Sequence, residues 1–168
     1  MRLLLIEDLL EDGPHALLRS MVGRWRGRSR LWFEPGVLAG EDTVVAEITP
    51  LHGGRWIRQD YSTRIDAKEH TGTALIGFHL DARTWQIAWV DTFHTGSEIM
   101  FSEGPLKEGS PGVSVEGSYG GPEGPPWGWR TTFEPAGDRL VVRHFNITPA
   151  GEEALAVQLD LKREETSG

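Results

Sequence analysis

Between residues 23 and 33 the side chains alternate with a period of two. Arg24, Arg26, Arg28 and Arg30 fall on one side and Trp25, Gly27, Ser29, Leu31 and Phe33 on the other. Such a run is a strand with one wet and one dry face. It follows a stretch of helical spacing over residues 14–22, with Pro14 at the first position, where a missing N–H costs nothing. Leu17, Leu18 and Met21 share one face of that helix, and Gly23 supplies its stop. A helix stub that ends at glycine and enters a strand with an inward tryptophan predicts the closed bottom of a small antiparallel barrel.

The rest of the chain reads the same way. Period-2 runs rich in Val, Ile, Thr, Trp and Phe cover roughly 42–50, 55–65, 71–80, 85–93, 97–104, 112–119, 127–135, 139–148 and 153–164. Their links carry turn chemistry, as in Asp81-Ala82-Arg83-Thr84 and Pro135-Ala136-Gly137-Asp138. No helical pattern separates these runs, so nothing makes parallel crossovers. The expected fold is all-β: a closed antiparallel meander barrel of about ten strands, with the short N-terminal helix plugging one end. Residues 13–168 form this single domain. Residues 1–12 precede it as a leader in which Leu3, Ile6, Leu9 and Leu10 recur at helical spacing. The Pro- and Gly-rich stretch 120–126 is a loop at the rim.

The last strand checks the first. Leu155, Val157, Leu159, Leu161 and Arg163 share the apolar phase, so Arg163 leaves the strand on the inward side and needs a partner there. If the tenth strand closes on the first, its guanidinium lies over the indole of Trp25 in a cation–π contact.

These residues also carry a resemblance. Gly23-Arg24-Trp25 after a helix stub, with a late basic residue to cover the tryptophan, resembles the lipocalin or calycin superfamily of ligand-binding barrels. Gly77-Phe78-His79-Leu80-Asp81 followed by Trp89-Val90-Asp91-Thr92 is similar to a family of small bacterial lipocalin-like domains of unknown function. The similarity runs over most of residues 15–164. It implies a barrel with structural roles for Gly23, Trp25 and Arg163, and it implies no catalytic residue.

Charge and composition narrow the partners. Lys plus Arg number 17 against 25 Asp plus Glu, a net charge of −8 that disfavours nucleic acid and anionic membranes. There is no cysteine, hence no disulfide, thiolate metal site or cysteine nucleophile. The apolar start Met1 to Ile6 is cut off by Glu7 and Asp8, too short for a signal peptide, and the cytoplasm is the default compartment. No apolar run approaches the ~18 residues of a membrane span. A monomer and a homodimer are both compatible with the chain.

Aromatic residues on strand phases point to a small apolar or aromatic ligand in the barrel. Trp85, Trp89, Asp91 and Phe93 share one phase of strand five. Phe33, Trp127, Trp129 and Phe133 are further candidates for the lining, with Asp91 and a histidine such as His144 as polar anchors. A desolvated Asp91 would rise toward the range of a general base, with His94 or His79 as its acid, unless N–H donors or a cation hold it charged. The commoner role for such an aspartate is to cap the turn that follows. The helix-to-Gly-x-Trp entry also resembles that of small bacterial barrels that bind haem through one histidine, which makes His79, His94 or His144 an alternative axial ligand. The lack of a Cys-x-x-Cys-His attachment site favours plain structural roles for these histidines. Otherwise no cofactor and no metal are expected, because neither H-x-x-x-H nor H-E-x-x-H occurs. The arginine row of strand one is expected outside, paired across strands with acids such as Glu47.

Overall fold

The computed structural model describes residues 12–120 and 122–165, so the leader expected over 1–12 lies, apart from Asp12, outside the described residues. Among the described residues one helix, α1 (Pro14–Ser20), precedes ten strands: β1 (Gly23–Glu34), β2 (Val37–Leu51), β3 (Trp56–Ile65), β4 (Lys68–His79) and β5 (Thr84–Asp91). These are followed by β6 (Met100–Pro105), β7 (Val113–Tyr119), β8 (Trp127–Ala136), β9 (Arg139–Ile147) and β10 (Glu153–Arg163). Each pairs antiparallel with the next, and β10 returns to β1, giving a closed meander barrel. The largest departure from the sequence reading is β2, which begins at Val37 rather than near 42. Residues 37–39 are exposed on the rim, so both faces are wet and the alternation that marks a strand is lost there.

The closure is the one the strand phases require. Trp25 lies opposite Arg163 in the β1–β10 ladder. The Arg163 guanidinium carbon is 4.3 Å from the Trp25 ring centroid, while its Nη2 donates to the carbonyl of Ser20 at 2.6 Å and its Nη1 to that of Val22. Trp25 Nε1 donates to Met21 O at 2.9 Å. Helix, first strand and last strand are thus tied by two side chains. Gly23 makes room: at φ 144° it holds a conformation that favours glycine, and a Cβ there would stand 2.4 Å from Arg163 Nη1. The outer arginines pair as expected, with Glu47, Glu164, Glu41 and Asp160 in turn. These pairs are solvent-exposed and add little stability.

The two ends of the barrel differ. At the helix end Leu18, Met21, Trp25 and Trp85 are buried, Phe78 stands edge-on to Trp85 at 4.9 Å, and His15 caps Phe78 at 6.3 Å. Side chains fill that half. At the other end, reached by the β1–β2 and β3–β4 hairpins and the loop after β5, a hollow opens between the strands.

Candidate functional site

The hollow has a volume of about 200 Å³. Its inner wall is built on β3, β4 and β5, where Tyr61, Gly72 and Asp91 stand side by side in register. The middle residue determines what the outer two can do. A Cβ on Gly72 would lie 2.2 Å from Tyr61 Oη, so only glycine lets the phenol lie across β4 and reach the next strand but one. Tyr61 Oη donates to Asp91 Oδ2 and accepts the Trp89 indole N–H at 3.0 Å. Burial, and then the neighbouring Asp91 charge, push the phenol well above its usual range, so Tyr61 stays protonated and serves as a donor.

Asp91 is 6% exposed, yet its carboxylate is fully engaged. Oδ1 accepts the backbone N–H groups of Phe93 and His94 at 2.6 Å each and faces His94 Nδ1 at 3.3 Å. Its own N–H donates to Thr95 Oγ1 at 2.8 Å. Burial works to raise this carboxyl, but the hydrogen bond and charge of His94, with the Tyr61 hydroxyl and the His94 N–H, outweigh it and hold Asp91 well below the carboxylate range. Asp91 is therefore an ionised turn cap and ring anchor. This is the commoner turn-cap role expected for Asp91, with the N–H donors that keep it charged in place of a rise toward the range of a base.

His144 faces inward from β9, a phase that periodicity leaves open because both faces of that strand are mixed. Its Nδ1 receives the Trp129 indole N–H at 3.2 Å and lies 2.9 Å from Thr131 Oγ1. Trp89 stacks on its ring at 5.0 Å and 14°, and Trp129 at 5.5 Å and 29°. Burial, with the nearby His94 charge, depresses His144 to about 3, so at neutral pH it is an uncharged imidazole. His94 leans on the same two indoles, 5.7 Å from Trp89 and 5.5 Å from Trp129.

Of the residues singled out from the sequence, Trp89, Asp91, His94 and His144 line the hollow together, with Phe33 and Phe93 meeting at its mouth 6.1 Å apart. Trp129 stands behind this wall, supporting His144. Trp85 does not reach the hollow: it is two turns of the pleat deeper, packed on Phe78. Phe133 lies below as well, lining a chamber of about 10 Å³ with Gln59, Ser102 and Thr131. Trp127 is 40% exposed and borders a separate rim recess beside Trp32. His79 is at the wrong end: it is exposed as the last residue of β4, where its Nδ1 accepts the Ala82 N–H of the following turn at 3.0 Å. Tyr61 and Gly72 escaped the sequence reading. The inward phase of β3 runs Ile57, Gln59, Tyr61, Thr63, Ile65, too polar to stand out as buried.

The model of one protein family matches residues 11–163, a range that takes in the helix and all ten strands. The chain belongs to the DUF1579 family. That family is described as proteins of unknown function, so membership fixes the domain without assigning it a reaction. No curated protein matches the chain. What this DUF1579 barrel can do therefore rests on its hollow. Among the described residues no helix is long and apolar enough to cross a membrane.

Proposed function

We propose that this DUF1579 barrel is a lipocalin-like binding protein that takes up a small, one-ring, largely apolar molecule at its open end. The observation that carries the reading is the contrast between a helix end filled by side chains and an open end that keeps a hollow of about 200 Å³, lined by the apolar Leu31, Trp89, Val157 and Leu159 together with the charged Asp42 and Arg64. Cavities of about 150 Å³ lined by apolar side chains hold benzene, so the hollow suits one ring with a small substituent. His94 and His144 give that ring a polar end to be read by. Macromolecular polyanions do not suit the surface, whose arginine row is already paired with acids.

A porphyrin is several times larger than this hollow and His79 stands outside it, so haem is not part of the proposal. Native mass spectrometry of protein purified gently from its host tests the reading. A bound compound of one-ring size, lost in a Trp89→Ala variant, is the expected result. A consistently empty protein, or an adduct retained by Trp89→Ala, would overturn it.

A further inference from the structure

We propose that the hollow also moves a proton on its ligand, with His94 as the acceptor and His144 as a neutral donor to the carbonyl oxygen of a small cyclic ketone. The inference rests on the ligand-binding reading above and adds chemistry to it.

The two imidazoles are set in opposite tautomers by their partners. The Asp91 carboxylate is ionised and can only accept, so the hydrogen between it and His94 sits on His94 Nδ1. In the neutral form of His94, Nε2 then carries the lone pair, and it has no hydrogen-bond partner among the described residues. An indole N–H can only donate, so the Trp129 bond places the lone pair of His144 on Nδ1 and its hydrogen on Nε2. That Nε2 is likewise without a partner among the described residues. Both rings line the same hollow and rest on the same pair of indoles. One lone pair and one N–H are thus presented to one small space.

For a ketone whose oxygen accepts from His144 Nε2–H, the chemistry balances without a co-reactant. His94 Nε2 takes a hydrogen from the carbon beside the carbonyl as a proton. The C–H electron pair becomes the C=C bond of the enolate, and the carbonyl pair moves to oxygen, where His144 holds it. The imidazolium formed on His94 stands against the Asp91 charge, which steadies it and fixes the ring orientation. Return of a proton to the same carbon exchanges the hydrogen, and return further along a conjugated enolate shifts a double bond. Nothing here requires a nucleophile. Asp91 is a positioning residue, itself held by Tyr61 and the turn N–H groups.

The test is the loss of the α-proton signals of cyclohexanone in heavy water, followed by proton NMR with the full-length protein. The expected result is saturable exchange above that of an equal concentration of free imidazole. His94→Gln, with folding checked by tryptophan near-UV circular dichroism, should lower the rate by roughly 10²-fold or more, and His94→Asn should do the same. Asp91→Asn should lower kcat while leaving KM for the ketone unchanged, a split that a purely structural role would not give. His79→Gln, at the other end of the barrel, should exchange at the full rate. Binding of cyclohexanone without exchange, or full exchange by folded His94→Gln, overturns proton transfer and leaves the carrier reading standing. Failure of cyclohexanone to bind at all overturns the ketone proposal, while a one-ring compound found on the purified protein by native mass spectrometry would still support the carrier reading.

Discussion

Replacing Gly72 with alanine places a methyl carbon 2.2 Å from Tyr61 Oη and 2.3 Å from its Cζ, closer than real Cβ atoms come to anything. The β4 backbone is paired on both sides over this stretch, so the phenol has to move. In moving it gives up its donation to the Asp91 carboxylate and the hydrogen bond it accepts from Trp89. A lost hydrogen bond to a buried charge removes about 1.5–3 kcal/mol, and overpacking a tight site adds about 1–3 kcal/mol. A destabilisation of about 3–5 kcal/mol is therefore expected, large against the ~5–15 kcal/mol of a typical domain. Urea unfolding followed by tryptophan fluorescence measures it as a lower midpoint at unchanged slope. The cause is isolated by a double-mutant cycle. In a Tyr61→Ala background the methyl has nothing to displace, and Gly72→Ala should cost less than about 0.5 kcal/mol. Equal costs in the two backgrounds, or no cost in the parent, would refute the account of this wall.

Three other perturbations follow from the same structure. Trp25→Ala should cost about 3–5 kcal/mol in urea unfolding, since it leaves a cavity and strips Arg163 of its stacking surface. His144 is neutral when folded down to about 3 but takes a proton near 6.5 when unfolded, so the unfolded state binds more protons between those values. Stability should thus fall as pH drops from about 6.5, at up to about 1.4 kcal/mol per pH unit from this group, and His144→Phe should flatten that part of the urea-midpoint profile. The β3–β4 hairpin turns on Asp66 and Ala67 at φ 50° and 63°, a geometry suited to Asn-Gly, so Asp66→Asn with Ala67→Gly should raise stability by about 1 kcal/mol, read as an increased Tm.

Most of the architecture was legible because the side-chain period of a strand is short and its breaks are chemical. The alternating arginines of β1 and the apolar phase of β10 are enough to bring Trp25 under Arg163, and the phase of β5 is enough to turn Asp91 inward. Phase gives the side of the sheet but not the depth along the barrel. That is why Trp85, on the same phase as Trp89, lies in the packed half, and why Trp127, on the phase of Trp129, ends at the rim. The character of the site was harder to read. Asp91 looks like a desolvated acid from its apolar neighbours alone, and the donors that reverse this come from the turn backbone and from Tyr61 on the next strand but one. Tyr61 gets there only because Gly72 lacks a side chain, a relation among three strands that no local pattern contains.

The indole N–H resonances provide reporters at both ends of the barrel, since Trp89 lines the hollow and Trp129 supports it while Trp25 and Trp85 sit in the packed half. An NMR titration of isotope-labelled protein with cyclohexanone tests the central claim most directly. Saturable shifts at Trp89 and Trp129, with Trp25 and Trp85 unmoved, are the predicted result. A titration that leaves Trp89 and Trp129 unchanged, or that moves all four equally, would contradict a ligand site at the open end.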